Sequence, residues 1–262
     1  MAQPWVIKLD RAQEHLRTLV NEVAEHEHQS LKVEYQQSPA EPGVYRLRFR
    51  QAVPPPDRWS AVIGDLLHNV RSALDSFTFT TIDGRATLSD KERRRIYFPI
   101  TETIADFEDH PWPAKKIGSK SVDAFRSAQP WARYLDLDDE YLAQTKRHPL
   151  VLLSKLSNID KHRALHLTFA APIDTLAGTA GPVRADWTPG KPWPLEDGDL
   201  IGTWTFTGLN PDQSPWFDNK FRIALESDAQ SELGMSFDER LASFVTAAWK
   251  AIEEVESGLP PS

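Results

Sequence analysis

Cysteine is absent from the 262 residues, and with it go disulfides, thiolate metal sites and any cysteine nucleophile. A chain without cysteine fits a reducing compartment, so a cytoplasmic location is expected. Long apolar runs are missing as well. No segment approaches the roughly 20 apolar residues that cross a bilayer, so a soluble chain with no membrane partner is expected. The opening MAQPWVIKLDRAQEHL scatters its charges and sets no apolar stretch behind a basic start, unlike a secretory signal. Two methionines provide no adaptable thioether groove. Neither a phosphate-cradling glycine loop nor a G-x-S-x-G elbow occurs. Positive charge is the scarcer sign, with 30 Lys and Arg against 38 Asp and Glu for a net of −8, which argues against broad attraction to nucleic acid. A local basic pocket stays open at Lys91, Arg93, Arg94 and Arg95, although charge runs beside turns are usually solvated.

What is present can build a sizeable core, since 40% of the residues are hydrophobic. From Trp5 to about His28, Val6, Leu9, Leu16, Leu19, Val20 and Val23 recur at helical spacing and predict a helix over about 5–28. SLKVEYQQ and GVYRLRFR alternate apolar and polar residues on either side of SPAEPG, which predicts a hairpin within 30–50. Pro54, Pro55 and Pro56 end it and open a helix over about 57–80. Residues 83–148 read as irregular, with one short helical segment near 121–128. Pro149 opens a helical run over 149–165, short alternating segments between 166 and 226 predict antiparallel strands, and Ser236 with Glu239 has the pattern of a capping box before a last helix over 236–257. Four Trp residues in or beside the strand block, Trp187, Trp193, Trp204 and Trp216, are expected to pack in a core. The sum is an α+β fold, a helical core with an antiparallel sheet, in a single domain over 1–262.

Two helices carry the chemistry. On a helical wheel the segment GDLLHNVRSALDSF at 64–77 gathers Leu66, Leu67, Val70, Ala73, Leu74 and Phe77 on one side. Asp65, His68, Asn69, Ser72, Asp75 and Ser76 collect opposite, with Arg71 at the edge. Asp, Asn, Ser and His form helices less readily than Glu, Lys or Gln, so a merely wetted face gains nothing from them. In the 149–165 helix, Asp160 and Arg163 fall inside the apolar arc, so they need partners: each other, or Asp65 and Arg71 if the helices lie side by side. Asn158, His162 and Lys161 share that helix. His68 or His162 would supply an acid or base, Arg71, Lys161 or Arg163 a cation, and Asp65, Asp75 or Asp160 a carboxylate to fix an imidazole. These are the parts of a metal-independent phosphodiester cleavage site, and equally of a salt-bridge network that satisfies the backbone of the irregular region.

WSAVIGDLLHNVRSALDSF at 59–77, FPI at 98–100 and LVLLSKLSNIDKHRAL at 150–165 resemble a group of bacterial proteins with GD-x-LHN-x-RSALD and NIDKHR stretches, a resemblance that brings no activity with it. More remotely, the paired helices are similar to the HEPN superfamily, whose active members are metal-independent ribonucleases with an Arg, a spacer of four to six residues and a His. The resemblance implies Arg71 in the place of the motif Arg, RNA as partner, a ribonuclease or defence-related toxin, and a homodimer. Position 76, where a four-residue spacer puts the His, is Ser in this chain.

A metal held by Asp65, His68, His162 and His166 is the next alternative, but the set lacks the Glu that carboxylate-bridged sites use. No metal and no cofactor are therefore expected. Whether the chain is an enzyme stays open between two readings, a HEPN-like nuclease and a non-enzymatic interaction module with a protein partner of unknown kind. A nuclease requires Arg71 and His68 or His162 in a cleft open to solvent. A module requires the polar groups sealed and bonded to one another.

Overall fold

The computed structural model describes residues 3–51, 53–110, 116–137, 140–160, 167–169, 174–180, 182–191, 195–210, 212–220, 223–225 and 237–261. It is α+β, and its contacts divide the chain into two compact units. The first takes residues 1–18, 61–165 and 238–262, and the second takes 19–60 and 166–237.

The elements begin with α1 (Pro4–Ser30), the strands β1 (Leu31–Gln37) and β2 (Val44–Gln51), and α2 (Arg58–Asp83). In the first unit, α2 buries Ile63, Leu66, Leu67, Val70, Ala73 and Leu74 completely, the arc its spacing predicts. Trp5 near the start of α1 sets its ring edge-on to Phe77 of α2 at 5.8 Å and to Trp249 at 5.3 Å. Trp249 belongs to the last helix, Phe237–Gly258, whose Leu241, Phe244, Ile252 and Val255 are fully buried. Ser236, the predicted cap of that helix, lies outside the described residues.

The stretch 83–148, expected to be irregular but for a helical segment near 121–128, holds four short helices among its described residues: α3 (Asp90–Arg93), α4 (Ile104–Glu108), α5 (Ser119–Ser127), which is the expected segment, and α6 (Tyr141–Arg147), with a 3-10 turn at Pro130–Arg133. Three of the four have seven residues or fewer, too short for a hydrophobic period to show in the sequence. A capping box does occur here, at Ser89 and Glu92, where the Ser89 hydroxyl accepts from the Glu92 amide and the Glu92 carboxylate accepts from the Ser89 amide. Next comes α7 (Pro149–Asp160). His148 stands before it, its Nδ1 accepting from the Leu150 N–H at 3.2 Å and its carbonyl from Val151 and Leu152. That imidazole is buried, and burial, followed by the charge of Arg133, holds it down to about 4.

The second unit is built on strands. β3 (Leu167–Phe169), β4 (Asp174–Gly178), β5 (Arg184–Pro189), β6 (Leu200–Thr207), β7 (Trp216–Lys220) and β8 (Ile223–Leu225) are followed by the last helix, α8. A four-stranded antiparallel sheet runs in the order β1-β2-β6-β5, and β3 pairs with β8 and β4 with β7. Gly43 closes the β1–β2 hairpin at φ 85, a left-handed conformation that favours glycine. One side of the sheet is apolar: Leu47 and Phe49 are fully buried and Trp204 and Phe206 nearly so. The other carries Arg46, Arg50 and Arg184, paired with Glu41, with Glu34 and Asp197, and with Asp186.

Trp204 sits in the core as predicted, with Trp187 across the β5–β6 pair at 5.2 Å between rings. Trp216 does not. It is 54% exposed, its indole laid over Gly178 of the facing strand. A short ribbon of two strands has one wet side, and Trp216 is on it.

Candidate functional site

The polar face of α2 divides into two halves. At one end Arg71 and Asp75, four residues apart, pair at 3.2 Å. Arg71 Nη2 also donates to the Phe98 carbonyl at 2.8 Å, and the Phe98 N–H donates to Asp75 Oδ1 at 2.9 Å. Phe98 itself is buried and lies in the YFPI segment, which belongs to no helix or strand. Its backbone has no ladder to join, and a buried N–H or carbonyl left unpaired costs about 1–3 kcal/mol. The charged pair on α2 supplies both partners at once.

Around this clasp, the Arg71 guanidinium lies 5.9 Å from the centre of the Tyr97 ring, within cation–π range. His110 meets Tyr97 edge-on at 4.8 Å. Burial, then the charge of Arg71, lowers the His110 pKa. Arg71 is only 19% exposed.

The other half faces water. Asp65 and His68 are exposed. The Ser72 hydroxyl lies 3.3 Å from His68 Nε2, and Asn69 donates back to the Asp65 carbonyl at 2.8 Å. Such bonds keep the side chains on their own helix.

Asp160, at the end of α7, reaches α2 at Gly64. A Cβ built on Gly64 would stand 2.6 Å and 2.8 Å from its two carboxylate oxygens, so glycine is what lets the carboxylate approach. The packing of α7 beside α2 that the two amphipathic patterns predict is thus realised at this point, and Asp160 is half-buried rather than turned to water. Its partner is not Arg71: the guanidinium takes Asp75 of its own helix, because an i, i+4 pair needs no reach between elements. Asn158 is exposed. Lys161, His162, Arg163 and His166 lie outside the described residues, so the second half of the predicted constellation is not placed.

Among the described residues, then, the structure joins Arg71 and Asp75, keeps His68 with Ser72, and sets Asp160 on Gly64. It also brings in Phe98, Tyr97 and His110, which the helical wheel alone could not reveal. Gly64 carried a signal: a glycine inside a helix, on the polar stripe, marks a close approach. No group of three or more metal-ligating side chains occurs among the described residues, nor any helix long and apolar enough to cross a membrane. No family model matches the chain, and no curated protein or solved structure proves similar to it.

Proposed function

We propose that the chain is a non-enzymatic interaction module built on a HEPN-like helix pair, in which Arg71 and Asp75 serve architecture rather than chemistry. The observation that supports this most is the engagement of both backbone groups of Phe98 by that one charged pair. A guanidinium held by a carbonyl, a carboxylate and an aromatic ring is poorly placed to follow developing charge on a substrate. Ser76 stands where the spacing from Arg71 would call for a proton carrier, and a serine hydroxyl does not titrate near neutral pH. A second copy of the chain is a candidate partner.

One observation favours a second reading, a metal-independent ribonuclease or defence-related toxin acting on RNA. His68 is exposed, one turn along α2 from Gly64 and the Asp160 carboxylate, where an imidazole could exchange protons with a bound substrate.

The two readings part in one experiment. Purified protein and the variants His68→Ala and Arg71→Ala are incubated with RNA in a chelator, and their melting temperatures are measured. The module reading expects no cleavage by any form and a melting point lowered by about 4–8 °C for Arg71→Ala, from a loss of about 2 kcal/mol. Cleavage by the unaltered chain that His68→Ala abolishes at an unchanged melting point would establish the nuclease instead.

A further inference from the structure

One side of the β4–β7 ribbon meets the four-stranded sheet and the other meets water. Phe217 points to the sheet, its ring stacked on Tyr35 at 4.5 Å and set against Tyr45 at 5.5 Å and Phe206 at 6.0 Å. Side chains alternate along a strand, so Trp216 and Asp218 share the outer side. The register puts Gly178 opposite Trp216 and Leu176 opposite Asp218, with Asp174 opposite Lys220 at the far end. Trp216 is 54% exposed and Leu176 49%. Single apolar side chains at a surface are ordinary, but the strand facing this one is adapted to it. A Cβ at Gly178 would stand 2.5 Å from Trp216 Cζ2 and 2.7 Å from its Cε2, so glycine is what lets the indole rest on the facing backbone. The chain leading into β7 is held as well. Gln213 donates to the Ala180 carbonyl, just past β4, at 2.7 Å and accepts from the Asn210 amide at 3.0 Å. Pro215 fixes the backbone torsion immediately before Trp216. The indole is therefore braced from below and from behind while more than half of it stays in water.

The surroundings select what such a ring takes. Asp218 is exposed, about 7 Å along the strand from Trp216, and Asp212 is exposed in the turn before it. In a chain of net charge −8 these carboxylates repel the phosphates of nucleic acid and of anionic lipid. A bilayer also needs a wider apolar face than Trp216 and Leu176 provide. A quaternary ammonium group is held in a cage of several rings, and the rings that meet Phe217 lie on the inner side of the ribbon. A sugar asks for less. Its C–H groups pack on one indole, and its hydroxyls donate to one carboxylate in charge-assisted bonds. Being uncharged, it meets no repulsion from an acidic chain. We propose that Trp216, Leu176 and Asp218 form a binding site for a neutral carbohydrate of the glucose type, whose equatorial hydroxyls leave both ring faces to C–H groups. One ring rests on the indole and donates to Asp218. The site belongs to the second unit, so the proposal stands apart from both readings of α2 and from their cleavage assay.

The test is fluorescence polarisation of labelled cellohexaose, a neutral β-linked glucose chain, against the unaltered protein and the variants Trp216→Ala, Trp216→Phe and Asp218→Asn. Labelled hexa-arginine and oligouridine are run beside it. The expected result is saturable binding of cellohexaose that is equal at about 50 and about 500 mM salt, because no charge is neutralised. Trp216→Ala weakens it at least about tenfold, and Trp216→Phe, which keeps a ring, retains part of it. Asp218→Asn, whose amide oxygen still accepts from a hydroxyl, holds binding within about threefold. Melting temperatures stay those of the unaltered chain, since both side chains stand on the wet side of the ribbon. Failure of cellohexaose to bind, or binding that Trp216→Ala leaves intact, overturns the proposal. Hexa-arginine bound in place of the sugar and lost in Asp218→Asn would overturn it too, by making the indole a seat for a cationic peptide, as would oligouridine bound in its place.

Discussion

Arg71 and Asp75 lie one turn along α2 from His68 and Ser72, and both pairs are spaced i, i+4, yet their surroundings differ. The first pair reaches across to a buried backbone and is bound at both ends. The second, among the described residues, bonds within its own helix, with His68 exposed and Ser72 half-buried. Residue types and spacing therefore do not distinguish a clasp from a wetted surface. What distinguishes them is whether another segment arrives with unpaired groups, as Phe98 does for the first pair.

The largest effect should come from breaking the clasp. Asp75→Ala removes the acceptor of the Phe98 N–H and the partner of Arg71, and an expected loss of about 3 kcal/mol is measured by denaturant unfolding. A double-mutant cycle with Arg71→Ala should show coupling above 0.5 kcal/mol, and a value near zero would mean that the two side chains hold Phe98 independently.

The same opposition of sealed and open groups separates His148 from His68. The unfolded chain binds a proton at His148 near pH 6.5, while the folded chain binds none until about 4. Stability is therefore complete above pH 6.5 and falls as the pH drops from 6.5 towards 4, by up to about 3 kcal/mol. The variant His148→Asn, whose Oδ1 stands where the imidazole Nδ1 accepts from the Leu150 amide, should flatten that acid limb of an unfolding series.

Smaller still is the effect at Gly64. Alanine normally favours a helix interior by about 0.5–1 kcal/mol over glycine. With Asp160 in place the added methyl displaces the carboxylate and the gain is lost. In an Asp160→Ala background it should return in full, and thermal melts of the four combinations decide the point. Smallest of all are His68→Ala and Ser72→Ala, each expected within about 0.5 kcal/mol of the unaltered chain. A larger loss from either would put the wetted half of α2 on a par with the clasp.

The long elements were legible because their patterns are long. α1 and α2 follow the predicted arcs, the β1–β2 hairpin follows its alternation, and α8 buries the stripe that Leu241 to Val255 lay out. Asp160 could be recognised as turned inward because it interrupts an apolar arc. Phe98 could not be recognised as the target of Arg71 and Asp75, since 27 and 23 residues separate them and no local pattern encodes that meeting. Of the short helices between 83 and 148, α5 answers to the helical segment expected near 121–128, whereas α3, α4 and α6 are too short to show a period, and Trp216 is exposed because a large apolar side chain on a two-stranded ribbon need not face a core. His162 and its neighbours contribute nothing to either side, being outside the described residues.

The Phe98 amide has a kinetic consequence. Chain with no regular hydrogen bonding ordinarily trades its amide protons with solvent quickly, but here Phe98 gives its proton to Asp75 and Thr101 gives its own to Gln129. In deuterated water these two positions should retain protium long after unbonded amides of exposed chain have lost it, Phe98 releasing its own when the YFPI strip lifts away from Asp75 of α2 and Thr101 when it parts from Gln129. The Phe98 proton would time the lifting from α2 directly, and the Thr101 proton would show whether the strip leaves Gln129 in the same event.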